Sequence, residues 1–152
     1  MIDAVRPDGL IWAEVDSLED VSDLTPTVRH ADSCSRLTVL AQSPELMRAA
    51  ASEWADCDIR LLLRANRPSE FTGENPPCPY SGVCMPEAIA THVHIQNVRR
   101  SGKEVAVSTP EKWGRRRKRT IPEQLNWYSH ESVDWIVAAD PWAWTSALAK
   151  RV

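Results

Sequence analysis

Apolar positions along the chain fall partly into short continuous runs and partly into helical stripes. Gly9–Val15 (GLIWAEV) mixes β-branched and aromatic residues and predicts a strand, as does Arg36–Ala41 (RLTVLA). Between them, Asp16–Leu24 puts Leu18, Val21 and Leu24 on one side of a short helix with an acidic outer face. Ser43-Pro44-Glu45 carries the strongest helix start in the chain: a capping hydroxyl, a proline where its missing N–H costs nothing, and an acid at the positive end of the dipole. Leu46, Ala50, Trp54, Cys57 and Leu61 follow at steps of four, four, three and four, so periodicity favours one helix running toward Ala65. The alternative ends it at Asp56-Cys57-Asp58 and makes Ile59–Arg64 (IRLLLR) the second strand of a β–α–β unit.

From Arg67 to Pro86 the prolines crowd together and the pattern predicts a long loop. Thr91–Arg99 and Glu104–Ser108 flank Arg100-Ser101-Gly102-Lys103 and predict an antiparallel hairpin, with His92, His94 and Gln96 on one side and Val93 and Ile95 on the other. Residues 109–120 form a basic connector opening on Thr109-Pro110-Glu111, a one-turn cap. Thr120-Ile121-Pro122-Glu123 is a capping box for a further helix. Helices near Glu131–Ala139 and from Pro141 to Lys150 complete the expectation. The predicted fold is a single α+β domain over residues 1–152, in which a small antiparallel or mixed sheet packs against several helices. No internal repeat is evident.

Composition sets outer bounds. With 152 residues, 43% apolar and 26% charged, the chain matches an ordinary globular domain. It shows no membrane-length apolar run and no secretion leader, which predicts a cytoplasmic protein with no membrane partner and reduced cysteines. The net charge of −3 hides a polarity: residues 1–58 carry 4 basic and 12 acidic side chains, whereas Asn97–Arg119 carries nine Lys or Arg against two Glu.

Four groups of residues could carry chemistry. Cys78 and Cys84, with His92 and His94 downstream and Cys57 as a further donor, are the residue types that bind tetrahedral zinc, although five residues between the cysteines exceeds the usual spacing. Arg99, Arg100 and Lys103 on the hairpin, followed by Trp113, Arg115, Arg116, Arg117, Lys118 and Arg119, would lay a basic strip along a phosphate backbone. His94, His130 and Glu131 could serve as acid and base in phosphoester cleavage, yet no established catalytic motif frames them. Trp142 and Trp144 lie about 200° apart on a helix, so one of them should reach the surface as an interface anchor.

Weighed together, these features predict a non-enzymatic module that holds a polyanion, nucleic acid foremost. One alternative is a protein–protein adaptor or inhibitor, such as a mobile-element accessory protein, acting through the acidic N-terminal part and an exposed Trp. Another is a small His-dependent nuclease or phosphoesterase.

Overall fold

The computed structural model describes residues 2–5, 11–31, 37–57, 59–67, 81–110 and 119–149. Strands β1 (Ile2–Val5), β2 (Ile11–Val15), β3 (Leu37–Ala41), β4 (Arg60–Arg64), β5 (Gly82–Pro86), β6 (Glu104–Ser108) and β7 (Trp135–Val137) form one seven-stranded sheet in chain order. Only β1 is antiparallel to its neighbour, and the 6 strands β2–β7 run parallel in a curled half-barrel. Helices α1 (Leu18–Ala31), α2 (Pro44–Glu53), α3 (His92–Arg100) and α4 (Ile121–His130) connect successive parallel strands, and α5 (Pro141–Ala149) follows β7.

This topology places the helices. Parallel crossovers are right-handed, and here every crossover steps to the next strand in the same direction, so all helices come to one face. The larger core lies there. Val21, Val28, Met47, Ala50, Ile95, Val98, Tyr128 and Trp144 pack on alternate strand residues such as Val15, Val39, Leu61, Leu63, Val83 and Val107. The opposite, concave face holds a small cluster of Leu40, Leu62, Cys84 and Ala106, covered by Trp12, Trp135 and Val137 from the first and last parallel strands. Because both faces are buried, the inner strands read as continuous apolar runs such as LTVLA and RLLLR rather than as alternations.

The antiparallel α+β expectation is therefore corrected, and the reasons are local. Thr91–Arg99 is a helix because Ile95 and Val98, three residues apart, make its buried stripe, while Val93 stands exposed. Thr91 caps that helix by accepting from the His94 amide. Gly102, at φ 78°, ends it in the left-handed conformation, so the segment that resembled a hairpin turn is a helix terminus. Residues 44–65 divide as helix and strand: the Trp54–Cys57 turn stops α2, and Leu61 and Leu63 face the helices while Leu62 enters the concave cluster. The strand β5 lies inside the predicted loop. The helix expected near Glu131–Ala139 is a turn at Ser132 (φ 60°) followed by β7. The Ser43 cap, the Thr120–Glu123 capping box and α5 stand as expected.

Candidate functional site

In a parallel sheet every connecting loop after a strand lies at the strand's C-terminal end, so that end collects the variable, chemistry-bearing segments. Strand alternation sends Glu14 of β2, Arg64 of β4, Cys84 of β5 and Ser108 of β6 to the concave face. Gln42 follows immediately after β3, and its Nε2 donates to Glu14 Oε2 at 3.0 Å. Arg64 is half-buried, and among the described residues its buried Nε has no hydrogen-bond partner. Burial pushes the Cys84 thiol up to about 11, with the Arg64 charge acting to lower it and the Glu14 charge to raise it, so all three sit within electrostatic reach. At neutral pH Cys84 is a neutral thiol rather than a nucleophile.

Chemically, Arg64 offers guanidinium N–H groups that match an anionic oxygen. Glu14, oriented by Gln42, offers a proton acceptor on the same face, two strands away. No group of three or more His, Cys, Asp or Glu side chains suited to a metal ion converges among the described residues.

The opposite end of the concave face is closed differently. Arg60 pairs with Glu104 at 2.8 Å and lies 5.0 Å from the Trp135 ring centre, and Trp135 Nε1 donates to the same Glu104 oxygen at 3.1 Å. These three side chains satisfy one another, as expected of a stabilising plug.

The residues singled out from sequence lie mostly elsewhere. Cys84 is enclosed by Leu40, Leu62 and Ala106, while His92 and His94 are on α3, so the proposed zinc ligands do not assemble among the described residues; Cys78 lies outside them. Cys57 is half-buried after α2, its thiol 3.7 Å from Asp56 Oδ1. His94 Nδ1 is 2.8 Å from the Ile89 carbonyl. Glu131 is buried and its carboxylate is held by His92 at 2.7 Å and Gln96 at 3.0 Å. Burial raises its affinity for a proton, but the bonds from His92 and Gln96 outweigh this and leave it below its ordinary value. His130 is exposed at the C-terminal end of α4.

Arg99 donates to the Ser132 carbonyl at 2.6 Å, and Arg100 and Lys103 flank the end of α3, where the chain enters β6. The basic connector leaves from the other end of β6. The two parts of the expected basic strip thus start at opposite ends of the sheet, and Trp113 and Arg115–Lys118 lie outside the described residues. Arg119 stacks 4.9 Å over Trp127. Trp142 is 80% exposed, whereas Trp144 is buried against Tyr128 at a ring separation of 6.2 Å.

Glu14, Gln42 and Arg64 were not singled out from sequence. The available signal was a polar residue ending an apolar strand run, which gains meaning only once the strands are known to be parallel.

No family model matches the chain, and no curated protein is found to be related. Solved structures do match. A candidate glycerophosphodiester phosphodiesterase from Galdieria sulphuraria superposes with a TM-score of 0.69 at 16% identity, over 91% of this chain and 56% of that one. A second from Silicibacter pomeroyi gives 0.62 at 16% identity, over 88% and 44%. A glycerophosphodiester phosphodiesterase from Parabacteroides distasonis gives 0.59 at 12%, over 91% and 56%. The chain thus has their barrel-type fold and spans about half the length of these structures. The expectation of a non-enzymatic nucleic-acid-binding module is corrected here. It rested on a hairpin whose first arm is the helix α3, and the solved structures that share the fold are phosphodiesterases.

Proposed function

We propose that this chain acts in phosphodiester hydrolysis at the C-terminal ends of its parallel strands. The observation that carries this reading is the half-buried Arg64 on the concave face, whose buried Nε has no partner among the described residues, with Cys84 within electrostatic reach of both Arg64 and the Gln42-held Glu14 on a fold shared with phosphodiesterases. Arg64 neutralises the phosphoryl oxygens and holds the diester in place. Glu14, steered by Gln42, takes a proton from the attacking water as its oxygen bonds to phosphorus; the ester P–O bond opposite breaks, and the leaving alkoxide departs as an alcohol with a proton from solvent. Cys84 excludes water from the floor without entering the chemistry.

The test is turnover of bis(p-nitrophenyl) phosphate by purified protein, with and without added divalent cations. Arg64→Ala and Glu14→Gln should each lower kcat/KM by about 10²-fold or more, the scale of losing a charge-stabilising or proton-transfer group. Diester hydrolysis that is absent in the native chain, or equal in all three proteins, refutes the reading.

A further inference from the structure

Among the described residues four large apolar side chains are strongly exposed: Leu18 (66%), Val93 (61%), Trp142 (80%) and Leu148 (50%). Single exposed apolar residues are normal on a protein surface. Their placement here is not scattered. Leu18 opens α1 after β2, Val93 is in the first turn of α3 after β5, and Trp142 is in the first turn of α5 after β7. Each first turn lies at the C-terminal end of the preceding strand, so three of the four stand around the end that carries Glu14 and Arg64. They come from three separate helices, and no single groove joins them. A rigid partner would need a matching pit for each tip, whereas a fluid surface accepts all three at once.

Charge narrows the surface further. Asp16, Glu19, Glu45 and Asp140 are exposed at the same end, close to helix starts, and Arg67 after β4 and Arg119 before α4 are exposed there too. Charges of both signs complement a zwitterionic headgroup, the acids facing its outer ammonium and the arginines its phosphate, which can pass inward to Arg64. The helix α5 contains no charged residue, so Trp142 can settle at headgroup depth, where its amphipathic ring is favoured. No described helix is long and apolar enough to cross a membrane, so any contact made by these helices is superficial.

We propose that the rim formed by Leu18, Val93 and Trp142 docks this end of the half-barrel onto a zwitterionic lipid surface, making a headgroup phosphodiester the substrate class. The substrate class rests on the reading proposed above; the docking does not.

The test is flotation with phosphatidylcholine vesicles, without any turnover step. The native chain should float, and Trp142→Ser should lower its partition coefficient about tenfold. Leu18→Ser/Val93→Ser/Trp142→Ser should abolish flotation with an unchanged circular dichroism spectrum. Trp142 fluorescence should shift to the blue with vesicles. Native protein that stays in solution overturns the proposal, as does a triple variant that floats equally well. A Trp142-dependent dimer that fails to float assigns the rim to a second copy and also overturns it. Flotation without diester hydrolysis refutes only the catalytic reading, and hydrolysis without flotation only the docking.

Discussion

Replacing Gly82 by Ala separates the parallel sheet from a loop by the sign of its effect. Gly82 begins β5 and pairs with Glu104 of β6. A Cβ added there would stand 2.5 Å from the Glu104 carbonyl oxygen and 2.9 Å from both its carbonyl carbon and its Cβ. Two of these atoms are backbone, so no side-chain rotation relieves the overlap, and the strands must part beside the Glu104 N–H to Ser81 carbonyl bond of 2.9 Å. Overpacking costs about 1–3 kcal/mol and a weakened hydrogen bond about 1 more. A loss of about 2–4 kcal/mol is expected. Were Gly82 in a loop, Ala would instead stabilise by about 0.4–1 kcal/mol through the unfolded chain. Urea unfolding followed by Trp fluorescence decides it. With an m-value of about 2 kcal/mol/M, the midpoint should fall by roughly 1–2 M. A midpoint that is unchanged or higher refutes the β5–β6 pairing.

Three further outcomes follow from the geometry. Ser132→Gly should stabilise by about 0.5–1 kcal/mol, since Ser132 holds φ 60° and glycine adopts that conformation without the Cβ penalty; a lower melting temperature would contradict it. Glu131→Gln should cost about 1–2 kcal/mol at pH 7 by weakening the charge-assisted bond to His92. The folded Glu131 carboxyl lies below its ordinary 4.5, so its contribution is present above that pH and lost as pH falls through the folded value. Denaturation midpoints of variant and native protein should therefore keep a constant gap above about pH 4.5 and converge as the pH falls below it, and parallel profiles throughout would contradict this. Arg64→Met should leave stability unchanged or raise it by about 1 kcal/mol, because it removes a buried N–H with no partner among the described residues. The same variant should lose thermal protection by inorganic phosphate, and retained protection would remove Arg64 from the anion site.

Much of the local structure was legible: the Ser43 and Thr120 caps, the strands at Ile11 and Leu37, and the helix at Pro141. The tertiary class was not, for two physical reasons. The inner strands are buried on both faces, so RLLLR and GVCMP lack the alternation that distinguishes a strand from a helix fragment. Conversely α3 is short, and its exposed Val93 and buried Ile95 imitate alternation. A slower rhythm held the answer. Strands β3 to β6 start at residues 37, 60, 82 and 104, a spacing of 22 or 23, and the described helices α2 and α3 occupy the first and third of these intervals. Residues do not repeat at that period, only strand starts, so a search for sequence repeats passes over it. The candidate site depended on that topology. Glu14 and Arg64 are far apart in the chain, and only a curled parallel sheet brings both to one end of a shared concave face.

The two ends of that face differ in how completely their polar groups are used, and this difference locates function. At the N-terminal strand ends Arg60, Glu104 and Trp135 pair with one another, an arrangement that costs little to bury and contributes to order. At the C-terminal ends Arg64 retains a buried N–H with no described partner, although leaving such a group unmade costs about 1–3 kcal/mol. Glu14 is oriented there by Gln42 and lies within electrostatic reach of the same thiol as Arg64. Stability alone would favour an apolar residue at Arg64, as Leu62 provides two positions earlier on the same strand face. A polar group kept against that preference points to a ligand supplying the missing acceptor. The exposed apolar rim stands around this same end, so unmet hydrogen bonding and unmet apolar surface coincide. A phosphate-bearing amphiphile would satisfy both.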